Sequence, residues 1–142
     1  MESVKIYLSG AMSGSTLEVQ NKWRKNVINA IKYGDYYYEK KPIFFNPVDF
    51  YNTEEMNYKT EKEVMEFDLH NLRSSDLVIV NFNNLWSIGT AMELAIAKEY
   101  RIPVIAFNAN NKEIHPWLKE CCSRICDDMK EAVSYAVDYY LN

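Results

Sequence analysis

Short apolar runs closed by turn-forming residues alternate along the chain with longer stretches whose apolar positions recur every three to four residues. Residues 4–8, VKIYL, are a β-prone run that stops at the Gly and Ser cluster SGAMSGS, the pattern of a strand entering a loop. Thr16 can then cap a helix in which Val19, Trp23, Val27, Ala30 and Ile31 recur at helical spacing, and Gly34 ends it. The run PIFFNP, from Pro42 to Pro47, is bounded by breakers and predicts a second strand that delivers Asn46 and Asp49 to a loop. The tyrosines at 36–38 are read as loop or sheet edge.

After an acidic, polar loop, Val64, Met65, Leu69 and Leu72 predict a helix over about 60–73, which SSD closes. Asp76 opens LVIVNF, apolar on both faces as a central parallel strand must be. NNLWSIGTAMELAIAKEY (83–100) follows as a polar turn and an apolar helix, and IPVIAF (102–107) repeats the central-strand pattern. RIC (124–126) offers a fifth strand. Asp127 or Asp128 caps a last helix with Met129, Ala132, Val133, Ala136, Val137 and Tyr140 on one face.

Strands alternating with helices imply a parallel sheet, because parallel strands need crossovers and the crossovers lay helices on both faces. The expected fold is three-layer α/β with four to five strands, as a single domain over residues 1–142. In such sheets ligands sit beyond the carboxyl ends of the strands. The loops beginning at Ser9, Asn46, Asn83 and Asn108 are therefore where chemistry is expected.

Composition narrows the ligand. A chain of 142 residues with 48% hydrophobic content closes one sizeable core. A net charge of −4 gives no general attraction for nucleic acid or anionic membrane, which leaves small molecules. No apolar run reaches the roughly 18 residues of a membrane span, and MESVKIYLSGAMSG lacks a basic region followed by a long apolar one, so a cytoplasmic protein is expected. Cys121, Cys122 and Cys126 fit neither a disulfide framework nor paired Cys-x-x-Cys zinc knuckles. They are expected to be reduced thiols, some packed in the core, with no metal.

The loop after the central strand carries the most chemistry. Ser87 is a natural N-cap, and the free N–H groups at such a helix start, with Ser87 and Gly89 allowing close approach, suit a phosphate or carboxylate. An ordinary cap is the plain alternative. Glu93 falls in the second turn among Ile88, Ala91, Met92, Leu94, Ala95, Ile96 and Ala97. It lies either on a solvated stripe with Lys98 or Glu99, or in the cleft at reduced hydration, where its pKa can be tuned. Asp68 sits one turn from Met65 and Leu72 on the helix leading into the central strand, so two acids can converge on one cleft. Paired carboxylates in different environments are the usual equipment for cleaving a glycosidic bond. For Asp68 the alternative is a solvated helix face. The 14% aromatic content can wall a base-binding site, with Trp86 and Phe45 placed for it and Trp23 and Tyr139 assigned to core or interface. His70 reads as a surface residue.

KIYLSGAMSG, EFDLHNLRSSDLVIVNF and SIGTAMELAIAKEYRIPVIAF resemble, in order and spacing, the nucleoside 2-deoxyribosyltransferase family and its relatives the 2'-deoxynucleoside 5'-monophosphate N-hydrolases. The resemblance spans about residues 4–107. It implies a flavodoxin-like doubly wound fold, a homodimer or higher homo-oligomer whose sites borrow residues from a neighbour, and cleavage of the base-to-deoxyribose bond with no cofactor. By the same resemblance Glu93 takes the place of the nucleophile that forms a deoxyribosyl-enzyme intermediate. Asp68 takes that of the acid assisting the leaving base, and Tyr7 that of the tyrosine beside the nucleophile. Asp76 matches a family acid read as structural.

Transferases of the family keep an aspartate just ahead of the glycine motif, within reach of the deoxyribose hydroxyls, whereas Ser87 stands here and resembles the N-hydrolase serine that binds a 5'-phosphate. A capping serine at a helix start welcomes phosphate where an aspartate repels it. Ser9, Gly10, Ser13 and Gly14 of the first loop, with Asn46, Ser87, Trp86 and Gly89, are the expected substrate contacts. Against this, Ser13 stands where a phosphate-specific relative carries an arginine. His115 in EIHPWL falls where the family lends a phosphate contact across the dimer, and a helix cap or surface position is its alternative. The resulting expectation is hydrolysis of a 2'-deoxynucleoside 5'-monophosphate, with base exchange between deoxynucleosides and a non-catalytic nucleotide-binding module as the rivals.

Overall fold

Five parallel strands form one sheet in the order β2-β1-β3-β4-β5: β1 (Ser3–Gly10), β2 (Lys41–Phe45), β3 (Leu77–Asn81), β4 (Val104–Phe107) and β5 (Arg124–Cys126). The structure, a computed structural model, describes residues 2–12, 16–50 and 60–142. The crossovers are α1 (Leu17–Tyr33), a 3-10 turn (Pro47–Phe50) followed by α2 (Glu61–Arg73), α3 (Ile88–Glu99) and α4 (Pro116–Glu120), and α5 (Met129–Tyr140) closes the chain. This strand order is the flavodoxin-like doubly wound topology, whose switch point lies between β1 and β3. RIC is indeed a fifth strand, at the sheet edge opposite β2.

Side-chain alternation divides the core into two layers. Val4, Ile6 and Leu8 of β1, with Leu77, Ile79 and Ile105, pack against Val27 and Ile31 of α1 and Ala132, Val133, Ala136 and Val137 of α5. Tyr7, Val78, Val80, Val104 and Ala106 face the other way, against Leu69 and Leu72 of α2 and Leu94 and Ala97 of α3. All five residues 77–81 except Asn81 are buried, as expected of a central strand. Asp76 accepts a hydrogen bond from Lys5 N at 2.8 Å and donates its own N–H to Lys5 O, which aligns the starts of β1 and β3 and fits the structural reading.

Local capping sets the helix starts. Thr16, Thr60, Ser87 and Asp128 each accept from a backbone N–H three residues on, and His115 accepts through Nδ1 from Trp117 N. Gly34 ends α1 in an extended conformation, and its lack of a side chain matters because a Cβ there would collide with the Ala30 carbonyl. Cys126 is buried in the core, while Cys121 and Cys122 are half-buried free thiols. Burial pushes the Cys122 thiol up to about 12. Among the described residues no helix is long and apolar enough to cross a membrane.

Two helices depart from the expected burial. On α1 the buried stripe is Gln20, Arg24, Val27 and Ile31, whereas Val19 is 59% exposed. Arg24 on this stripe meets the carbonyls of Leu8 and Gly10 at the carboxyl end of β1 rather than apolar side chains. On α3 only Thr90, Leu94 and Ala97 are buried, and Ile88 and Met92 are exposed together with Ala91 and Ala95. The helix is apolar all round, yet it covers the sheet with one face only.

Candidate active site

A cleft of about 350 Å³ opens at the carboxyl end of the sheet, at the switch point. Gly10 at the end of β1 and Met12 just after it line the cleft, α1 supplies Arg24, α2 supplies Glu61, Val64 and Asp68, and the start of α3 with its Ser87 cap supplies Ile88, Gly89, Thr90, Met92 and Glu93. Its volume is at the low end of the roughly 300–1,000 Å³ typical of small-molecule sites.

Glu93 is the centre of the site. Tyr7 and Ser9 stand two residues apart on β1, so the pleat aims both hydroxyls at the α3 face. The Tyr7 hydroxyl donates to Glu93 Oε2, and Ser9 Oγ donates to Oε1 at 3.2 Å. Tyr7 is fully buried, stacked on Phe45 with ring centroids 5.2 Å apart, and Ser9 is 1% exposed. The Glu93 carboxyl is pushed up to about 7, chiefly because burial strips its hydration. The Tyr7 bond opposes that rise, the charge of Asp68 adds to it, and Ser9 and the Arg24 charge oppose it. Glu93 therefore faces the cleft, the second of the two placements its sequence allows. Asp68 is half-buried in the same cleft, so the two acids converge.

Ser87 lines the cleft, but its Oγ accepts the Thr90 N–H at 3.3 Å and so is engaged as the cap of α3. The N–H groups of Ile88 and Gly89 belong to the first turn, which has no intrahelical acceptor for them. Among the described residues, a Cβ on Gly89 would meet nothing within 4 Å, so they leave space open at this helix start. Trp86 is 88% exposed at the rim, between the cleft and a neighbouring hollow that includes His115.

Other expected contacts are placed differently. Asn46 is 3% exposed and outside the cleft lining; its Nδ2 donates to Asn21 Oδ1 at 2.7 Å and its Oδ1 accepts from Val48 N, which fastens the 3-10 turn to α1. Phe45 is held between Tyr7 and Phe50 and is likewise absent from the lining. Gly10 lines the cleft, yet its glycine is required by packing, since a Cβ would stand 2.7 Å from Trp23 Cζ2. Trp23 packs with the core, edge-on to Phe107, and Tyr139 is a surface aromatic paired with Tyr135. His115 caps α4, and His70 is exposed. Ser13 and Gly14 lie outside the described residues.

Arg24 and Thr90 are among the lining residues that sequence reasoning passed over. Arg24 is 1% exposed, with its guanidinium donating to the carbonyls of Leu8, Gly10 and Gln20. Its signal was its place on the Gln20, Arg24, Val27, Ile31 stripe, where a polar residue at a buried helical position needs an explanation. Thr90 is 4% exposed, and its Oγ1 has no hydrogen-bond partner among the described residues.

No protein-family model matches the chain, and no curated protein matches it. Among solved structures the fold is similar to 2-deoxyribosyltransferase from Bacillus psychrosaccharolyticus, with a TM-score of 0.72 at 18% identity over 93% of this chain and 92% of that one. It is also similar to the 2-desoxiribosyltransferase of Leishmania mexicana, with a TM-score of 0.64 at 16% identity over 97% and 99%. The CMP N-glycosidase of Clostridium botulinum gives 0.58 at 15% identity over 95% and 99%. At these identities the likeness is one of fold.

Proposed function

We propose that the chain is an enzyme of the nucleoside 2-deoxyribosyltransferase type that cleaves the N-glycosidic bond of a 2'-deoxyribonucleoside or its 5'-monophosphate. The observation that carries this reading is the Glu93 carboxylate, held by two hydroxyl donors from β1 and faced by Asp68 across a nucleoside-sized cleft. Three proteins that share the fold are named for deoxyribosyl transfer or CMP N-glycoside cleavage.

In the first step a Glu93 oxygen attacks C1', the C1'–N bond breaks, and its electron pair leaves with the base, which takes a proton delivered from the Asp68 side. The attacking oxygen is Oε1, because its bond from Ser9 is the weaker tether while Tyr7 holds Oε2. In the second step water or another base attacks C1', gives up its proton to the Asp68 side as the C1'–O bond to Glu93 breaks, releases the Glu93 carboxylate and gives net retention. Two donors aimed at one carboxyl suit its anion, although burial keeps it protonated below about 7 in the substrate-free cleft. The sugar's developing positive charge favours the ionised form, and the Glu93 proton passes to the Asp68 carboxylate, which then delivers it to the leaving base.

Water as acceptor and a 5'-monophosphate as substrate are favoured by Ser87 and by the open helix start at Gly89. Base exchange is favoured instead by the transferase names of two of the fold relatives. The exposed apolar residues Ile88, Ala91, Met92 and Ala95, beside Trp86 at the cleft rim, support a homodimer that buries this face. The deciding experiment incubates the protein with 2'-deoxynucleosides and their 5'-monophosphates, with and without a second free base, and follows products by chromatography. Base release confined to monophosphates establishes the hydrolase, and exchange on unphosphorylated nucleosides the transferase. Binding without product over hours makes the chain a nucleotide-binding module.

A further inference from the structure

Arg24 belongs to the helix opposite Glu93, yet its guanidinium reaches across to the carboxyl end of β1. Nε donates to Leu8 O at 3.4 Å and Nη2 to Gly10 O at 3.1 Å, and Nη1 donates to its own helix at Gln20 O, 2.7 Å away. The two β1 carbonyls are those on either side of Ser9, whose hydroxyl bonds to Glu93. The guanidinium carbon also lies 4.6 Å from the centroid of the Trp23 ring, and that ring lies against Gly10. A planar fork stacked on an indole and fastened to carbonyls on two elements is a rigid brace, which a lysine with its single ammonium cannot reproduce. Among the described residues, the side chains lining the cleft comprise one cation, Arg24, and three acids, Glu61, Asp68 and Glu93.

We propose that Arg24 is a positioning residue of the active site: by bracing the carbonyls that flank Ser9 it fixes where the Tyr7 and Ser9 hydroxyls hold Glu93, and its charge offsets the acids of the cleft. The inference rests on the reading of Glu93 as nucleophile. It accounts for a buried arginine on a stripe that begins at Gln20 and continues as the aliphatic Val27 and Ile31. Among the described residues the groups that act on Glu93 are Tyr7 and Ser9 from β1, Asp68 from α2 and Arg24 from α1, and Glu61 lines the same cleft. Removing the only cation of this set moves the Glu93 titration to higher pH, whereas moving the brace without removing the charge alters geometry alone.

The test compares wild type, Glu93→Gln, Arg24→Lys and Arg24→Gln on whichever 2'-deoxynucleoside or 2'-deoxynucleoside 5'-monophosphate wild type cleaves best. It reads kcat, KM, the acid limb of kcat/KM, and the titration of the Glu93 carboxyl carbon by NMR of glutamate-labelled protein. Arg24→Lys is expected to leave the acid limb in place and to lower kcat about 100-fold with KM within about threefold, the pattern of a misplaced reacting group. Arg24→Gln is expected to lose at least as much and to shift both the limb and the NMR titration upward by about one pH unit. Wild-type kcat in Arg24→Lys, a loss confined to KM, or an unmoved Glu93 titration in Arg24→Gln each overturns the proposal. If Arg24→Gln does not fold, Arg24→Lys decides alone; an unfolded Arg24→Lys also overturns it, because Arg24 then serves the scaffold. A wild type that cleaves none of the substrates defeats the proposed function and this inference together. Turnover that Glu93→Gln abolishes and Arg24→Lys leaves intact defeats this inference only.

Discussion

Tyr7 and Glu93, 86 positions apart, are joined by a hydrogen bond from a fully buried phenol to a carboxyl at the wall of the cleft. Tyr7→Phe removes a donor that favours the ionised carboxylate, so the Glu93 pKa rises further above about 7. The expected result is a kcat/KM lower by about 10- to 100-fold at neutral pH and an acid limb displaced to higher pH, measured as a pH–rate profile. An unmoved limb would show that the phenol does not tune the nucleophile.

Glu93 gives opposite signs for activity and stability. Its carboxyl stands near 4.5 when unfolded and about 7 when folded, so the folded state retains a proton that the unfolded chain has released between those values. Stability contributed by this group is therefore complete below about 4.5 and lost as pH rises through 7. Glu93→Gln is expected to abolish turnover yet to be more stable than wild type at pH 8, by about 1–3 kcal/mol, with the difference vanishing towards pH 5. Thermal denaturation across pH measures it, and a variant less stable than wild type at pH 8 contradicts the desolvated placement.

Gly10→Ala forces a Cβ to 2.7 Å from Trp23 Cζ2. Overpacking of this kind costs about 1–3 kcal/mol, and here it pushes on the strand end that carries Ser9. Trp23→Phe removes the Cζ2 edge, so the double variant should recover part of the loss. Additive destabilisation in a urea-melt cycle would locate the strain elsewhere.

Ser87→Asp keeps a capping oxygen but sets a negative charge at the open start of α3. Cleavage of a monophosphate should fall at least about 10-fold relative to its nucleoside, with Tm within a few degrees of wild type. Equal loss on both substrates would remove the reason for placing a phosphate there.

Ala95 is exposed on the apolar face of α3, away from the cleft lining. If that face is the homodimer interface, Ala95→Glu buries an unpaired charge on association and should shift the assembly towards monomer in sedimentation velocity. A wild type already monomeric at micromolar concentration would refute the interface.

The order of strands and helices, their caps and the parallel sheet were legible along the chain because each rests on local period and local hydrogen bonding, as in LVIVNF or the Ser87 cap. The convergence of Glu93 and Asp68 was not: each had a solvated helix face as its alternative along the chain, and both line the cleft only because of how α2 and α3 pack. Tertiary packing decided the rest. Phe45 lies under Tyr7 rather than in the cleft because β2 pairs with β1 in the register that sets Tyr7 opposite Phe45. Asn46 faces α1 rather than a ligand because the 3-10 turn brings Asn21 to it. Arg24 is buried because the Leu8 and Gly10 carbonyls at the end of β1, rather than aliphatic chains, meet its guanidinium. Periodicity says which face of a helix is set apart from its neighbours; what that face meets depends on elements distant in sequence, and only their packing determines it.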